Sequence, residues 1–159
     1  MQPRIDKLAE KKLVGLHTVM SFENIKTREL WQTLMPRRKE IRNNLNSDLY
    51  SLEVYDPGFF DNFNPATEFQ KWAAIEVTDF DQVPENMETL VIPTGLYAVF
   101  VHRGPQNEAA TTYRYIFETW MPRSGYEPDD RPHFAVMGEK YKKDDPESEE
   151  EIWIPVKHR

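Results

Sequence analysis

The strongest constraint in the sequence is an internal repeat. Leu30-Trp31-Gln32-Thr33-Leu34-Met35-Pro36-Arg37 returns as Ile116-Phe117-Glu118-Thr119-Trp120-Met121-Pro122-Arg123, an offset of 86 residues. Gly15-Leu16 returns as Gly95-Leu96 at an offset of 80, and Leu52-Glu53-Val54-Tyr55 as Phe134-Ala135-Val136-Met137 at 82. The stretch around Trp72 returns around Trp153 at 81. Four segments recur in the same order with little drift. The period is too long for the stacked units of a solenoid and too short for two self-sufficient domains. It predicts one domain over residues 1–159 made of two similar halves, at about 12–78 and 94–157. Two halves related by a pseudo-twofold axis leave a cleft between them, a usual place for a small-molecule ligand.

The chain is long enough to bury a real core, and 13% of its 159 residues are aromatic. Rings of this number either fill a core or line a ligand cavity. The formal net charge of −7 argues against direct binding to nucleic acid or to an anionic membrane. It favours a cationic ligand or a basic protein partner, or serves solubility alone. With no cysteine, disulfides, thiolate nucleophiles and cysteine metal sites are excluded. The four histidines lack ligand spacing, so no metal is expected. The glycines stand singly, in neither a phosphate-loop nor a Gly-x-Ser-x-Gly pattern, and no cofactor is expected. The charged N-terminus lacks the apolar centre of a signal peptide, and no apolar run reaches membrane-span length. A cytoplasmic location is the expectation.

Hydrophobic alternation predicts strands over 12–20, 48–55, 68–78, 94–103, 132–137 and 150–157. Helical spacing predicts a helix from Thr27 towards Leu45, with Leu30, Trp31, Leu34, Ile41 and Leu45 on its apolar stripe and a kink at Pro36. A second helix is predicted over 109–121, ending at Pro122. Asp56-Pro57-Gly58 opens an aromatic loop over 59–65, and 79–88 divides the halves. Each half reads strand, helix, strand, strand. The predicted fold is therefore α+β: duplicated β-α-β-β modules forming one antiparallel sheet, two helices on one side, and a cleft between the halves.

The words Trp120-Met121-Pro122-Arg123-Ser124-Gly125 and Glu151-Ile152-Trp153-Ile154-Pro155, with Tyr113 upstream and Arg131-Pro132-His133-Phe134 between, resemble the GyrI-like small-molecule-binding domain, also called the AraC-type effector-binding domain. Leu30-Trp31 and Met35-Pro36-Arg37 extend the resemblance to the first half. It implies a duplicated module and a cleft for bulky, lipophilic, often cationic compounds. It also implies a buried glutamate, best matched by Glu151. Relatives often carry Glu-x-Tyr where this chain has Ala135-Val136-Met137. Some are fused to DNA-binding domains, some stand alone, and some hydrolyse strained rings.

On the last strand, alternation puts Ile152, Ile154 and Val156 on one face, the natural seat of the helices. Glu151, Trp153 and Pro155 fall on the other. A carboxylate beside a large ring suits a lipophilic cation, although Glu151 also ends an acidic run that water could solvate. Trp72 is its counterpart, with Gln70 in the glutamate's place, and could equally close the end of a core. Tyr55 and Met137 are equivalent wall positions. Trp120 and Phe117 share the helix stripe, where core packing is the commoner use, and Glu118 lies off it beside Thr119. The ligand-binding set is then Glu151, Trp153, Trp72, Tyr55, Met137, Trp120 and Glu118, with no residue assigned to catalysis. About a dozen residues precede the first strand, too few for a helix-turn-helix, so a role in transcription would pass through a separate partner. The expected function is binding of a bulky lipophilic molecule, cationic or neutral, for drug sensing, sequestration or regulation. The alternatives are hydrolysis of an electrophilic small molecule and inhibition of a protein such as a DNA topoisomerase.

Overall fold

Two strands that hydrophobic alternation does not mark decide the shape of the sheet. The computed structural model describes residues 2–159. Its first half runs β1 (Arg4–Leu8), β2 (Lys11–Met20), α1 (Thr27–Leu34), β3 (Leu49–Val54) and β4 (Phe69–Val77). The second runs β5 (Glu88–Ile92), β6 (Gly95–Arg103), α2 (Ala109–Arg114), β7 (Tyr126–Pro128), β8 (His133–Met137) and β9 (Glu149–His158). All the strand pairs are antiparallel, in the order β1-β6-β9-β8-β3-β4-β2-β5, with β7 pairing β9. β1 is mostly charged, and both β1 and β5 are only five residues long, so their own sequences show little. They form because each pairs with the long strand of the other half.

That exchange bends the sheet. Arg4 faces Val99 and Leu8 faces Gly95, while Lys11 faces Ile92 and Gly15 faces Glu88. The paired residue numbers add to 103 throughout, so the two pairings are one continuous ribbon. Only Ala9 and Glu10 join β1 to β2, which stand near opposite ends of the strand order. The steps from Leu8 to Lys11 reach about 11 Å. A flat sheet of this order would separate β1 from β2 by roughly 30 Å, so the sheet must curl until its ends meet.

The halves match as the repeat requires. β4 and β9 carry Trp72 and Trp153 in equivalent places, and β3 lies directly beside β8. Leu52 is paired with Phe134, its own repeat equivalent, so the pseudo-twofold axis passes through that pair. Inside the curl, Leu13, Leu52, Trp72, Tyr97, Val99 and Phe134 form a buried core. Outside, α1 covers the first half through Leu30 and Leu34 on Val14, Ala73 and Ile75. The second helix covers the other half through Ile116 and Met121 on Phe100, Ile152, Ile154 and Val156. Each large aliphatic or aromatic side chain buried this way contributes roughly 1.5–3 kcal/mol.

Both helices depart from their expected course. α1 gives way at Met35 to a 3-10 stretch, Met35–Glu40, because Pro36 offers no N–H to an α-helical ladder. Leu45 lies beyond that stretch and is 54% exposed, so it is not on the buried stripe. α2 continues as a π-helical stretch, Tyr115–Trp120, and closes with the turn Met121–Arg123, which includes Pro122. The wider π turn re-aims the side chains of Phe117 and Glu118.

The segment between β3 and β4 is an aromatic wall. Gly58 takes φ +80° at its opening turn, a conformation that favours glycine. Phe59 packs with Met20, Phe69 and Tyr55. Phe60 stacks on Phe117 at 5.8 Å, and Phe63 meets Phe22 at 5.8 Å, so this loop ties the two halves together. His133 is buried beneath it, edge-on to Tyr55 at 5.0 Å and stacked near Phe117. Burial pushes its imidazole pKa down to about 3.

Two outcomes test this packing. A Cβ on Gly15 would overlap the Ala73 carbonyl and come within 2.7 Å of the Ala74 Cα. Gly15→Ala is therefore expected to lower the unfolding free energy by about 2–3 kcal/mol in a urea titration. His133 acts through pH. Below its ordinary pKa of about 6.5 the unfolded chain takes up a proton that the folded imidazole refuses, so stability is lost as pH falls towards 3. His133→Phe should flatten that loss by on the order of 2 kcal/mol between about pH 7 and pH 4.5, measured by denaturation at both. Equal slopes for both proteins would show that the ring protonates freely in the fold.

Candidate functional site

Each helix covers the outer face of its own half, and the seam of β3 and β8 between them stays open. A cavity of about 1030 Å³ lies there, between α1 and the π-helical stretch and beneath the aromatic loop. Small-molecule pockets span roughly 300–1,000 Å³, so this one suits a bulky ligand. Its floor is made by alternate residues of the helix-bearing face: Glu53 from β3 and Tyr55 just past its end, Lys71 from β4, Ala135 and Met137 from β8, Glu150 from β9. Trp31 of α1 and Tyr113 and Phe117 of the second helix form walls, and Phe22, Phe60 and Phe63 crowd the mouth.

The floor holds three buried charges. Lys71 stands directly opposite Glu53 in the β3–β4 register, and its ammonium donates to the Glu53 carboxylate. Their side chains are 10% and 12% exposed. Glu150 is 7% exposed and lines the cavity. Burial pushes its pKa upward; His102 and Lys71 oppose this, and Glu53 adds to it. Burial also holds the Tyr55 and Tyr113 hydroxyls well above the usual phenol range, with Glu53 adding to both. Both phenols therefore stay protonated and able to donate. His102 stands directly opposite Glu150 in the β6–β9 register, with Nε2 3.1 Å from the Pro105 carbonyl and Nδ1 2.8 Å from the Thr112 hydroxyl. A carbonyl only accepts, so Nε2 carries the proton in the neutral ring. Arg114, Glu118 and Arg159 are exposed at the rim.

The seven candidate ligand residues divide between the two faces of the sheet. Tyr55, Met137 and Glu118 line the cavity. Trp120 does not; it sets its ring edge-on to Phe100 at 5.2 Å and stacks near Tyr126. Glu151, Trp153 and Trp72 lie on the inner side of the curl, away from the cavity. There the Trp153 indole N–H donates to Glu151 at 3.1 Å, and Arg4 donates to the same carboxylate at 3.1 Å. The Arg4 guanidinium also lies 5.5 Å from the centre of the Trp153 ring. The expected ring-and-carboxylate pair exists, then, and the chain's own arginine sits in it. Trp72 donates to Gln70 at 3.0 Å and stacks on His17 at 4.9 Å. Alternation separates these two faces correctly, but a cleft between helices has to share the helices' face. Glu150 therefore lines it and Glu151 does not.

Glu53, Lys71 and Glu150 are the charged floor residues that sequence reasoning missed. Glu53-Val54-Tyr55 is itself a Glu-x-Tyr word, at the repeat position of Ala135-Val136-Met137. The acid and phenol missing from β8 are supplied across the pseudo-twofold axis by β3. Reading that word in both halves would have found them. No cluster of three or more metal-binding side chains occurs among the described residues.

Comparisons with known proteins identify the family and the fold. The GyrI-like small molecule binding domain family matches residues 1–157. The transcriptional regulator BrlR of Pseudomonas aeruginosa is 26% identical over 158 residues, which are 98% of this chain and 56% of the regulator. The chain thus spans about half the length of that relative. Among solved structures, SAV2435 bound to tetraphenylphosphonium superposes with a TM-score of 0.76 at 14% identity, covering 99% of this chain and 94% of that one. The C-terminal domain of EcmrR superposes with a TM-score of 0.71 at 18% identity, covering 99% and 98%. The fold is shared with both. By its residues and its architecture, the chain belongs to the GyrI-like small-molecule-binding domain family.

Proposed function

We propose that this domain binds a bulky lipophilic cation in the cavity over β3 and β8, with Glu150 as the counter-charge. The observation that carries the reading is the Glu150 carboxylate, on a residue only 7% exposed and on the floor of a large cavity walled by aromatic rings. Taking a carboxylate out of water is costly, and a ligand cation would offset that cost while the rings supply contact area and cation–π faces. The structure of SAV2435 with tetraphenylphosphonium, a lipophilic cation, supports this class of ligand. The relationship to BrlR supports a role in sensing for transcription regulation, with DNA contact made by another module or partner. No helix among the described residues is long and apolar enough to cross a membrane, and the proposed setting is the cytoplasm.

The reading is tested by calorimetric titration with tetraphenylphosphonium. Glu150→Gln keeps the shape and removes the charge, and is expected to weaken binding by about 1–3 kcal/mol. A neutral compound of similar shape should lose much less. Glu151→Gln, on the inner face, should leave the affinity unchanged. A larger loss from Glu151→Gln than from Glu150→Gln would place the ligand on the wrong side of the sheet for this account.

A further inference from the structure

The floor of the cavity is not symmetric, although the halves are. Lys71 corresponds to Ile152 of the second half, Glu53 to Ala135, and Glu150 to Phe69. Where Ile152 is fully buried under the second helix, Lys71 reaches into the cavity. Lys71 and Glu53 are direct cross-strand neighbours, an arrangement that holds the two side chains side by side. Their charges cancel over β3 and β4, so the one buried charge left over lies at the β9 end of the floor. The β3–β4 side of the cavity is the richer in rings, with Phe60, Phe63 and Phe69.

We propose that Lys71 is a resident cation that occupies the seat at Glu53 which a ligand's second positive centre would take, so that the cavity selects compounds with one positive centre, oriented towards Glu150. This rests on the cation-binding reading above and adds its charge specificity. A ligand cation and the Lys71 ammonium share one small, weakly screened cavity, where like charges repel more strongly than in water. Lys71 thus lowers affinity for every cation and excludes dications, an instance of specificity achieved by a repulsive element. The ligand's apolar body lies towards the phenylalanine side.

The test is titration of wild type and Lys71→Met with three probes: tetraphenylphosphonium, the bis-quaternary decamethonium, and neutral triphenylphosphine oxide. Wild type is expected to bind the first and not the second. Lys71→Met is expected to bind tetraphenylphosphonium about tenfold more tightly or better and to gain decamethonium, with the neutral probe changing less than about threefold. Because Lys71→Met leaves Glu53 buried without a partner, Lys71→Gln, which can still donate to Glu53 without a charge, carries the same expectation if the first variant does not fold. Unchanged tetraphenylphosphonium affinity in a folded Lys71 variant, with wild type binding normally, overturns the role of Lys71 and leaves the cation site standing. Absence of tetraphenylphosphonium binding in both proteins overturns the cation reading and this inference together.

Discussion

The backbone ribbon shared by the two halves is the constraint on which the remainder depends. Each half lends its leading strand to the other: β1 pairs with β6, and β5 with β2. With only Ala9 and Glu10 between β1 and β2, the hydrogen bonds of this ribbon cannot form unless the sheet curls. Curling assigns the two faces. The inner face closes on Trp72, Tyr97, Phe134 and their neighbours and is packed as a core. The outer face is convex, and two helices of modest length, one per half, cannot cover it fully. What stays open is the seam at the pseudo-twofold axis.

That origin explains the chemistry of the site. A seam residue from one half has its repeat equivalent close by in the other, so a single polar substitution in one strand serves the whole cavity. Glu53 on β3 and Tyr55 just past its end do this for Ala135 and Met137 on β8. The aromatic loop between β3 and β4, stacked through Phe60 on Phe117, crosses from one half to the other and encloses the mouth. Enclosure lowers the local polarity, which is why burial dominates the titration of Glu150, Tyr55 and Tyr113. The result is a floor able to hold one unbalanced negative charge among rings.

Much of this was legible before any coordinates. The repeat established two β-α-β-β modules, and alternation on the last strand placed Ile152, Ile154 and Val156 beneath a helix. β1 and β5 were not legible, because Arg4–Leu8 and Glu88–Ile92 owe their strand form to partners 73 to 95 residues away in the chain. The face that carries the cavity was not legible for a related reason. Period-two alternation says which residues share a face, but not which face the helices leave uncovered. Glu151 and Trp153 have the chemistry of a cation site and already contain Arg4, which no local pattern reveals. Glu53 is visible in the sequence as the acid of the word Glu53-Val54-Tyr55.

The most direct measurement of the central claim is a two-dimensional amide NMR titration of the intact protein with tetraphenylphosphonium. The account predicts shifts concentrated on β3, β8, the π-helical stretch and the aromatic loop, with the indole N–H signals of Trp72 and Trp153 unmoved. Shifts centred on those two indoles, with β3 and β8 silent, would mean that the ligand enters the inside of the curled sheet, and would contradict it.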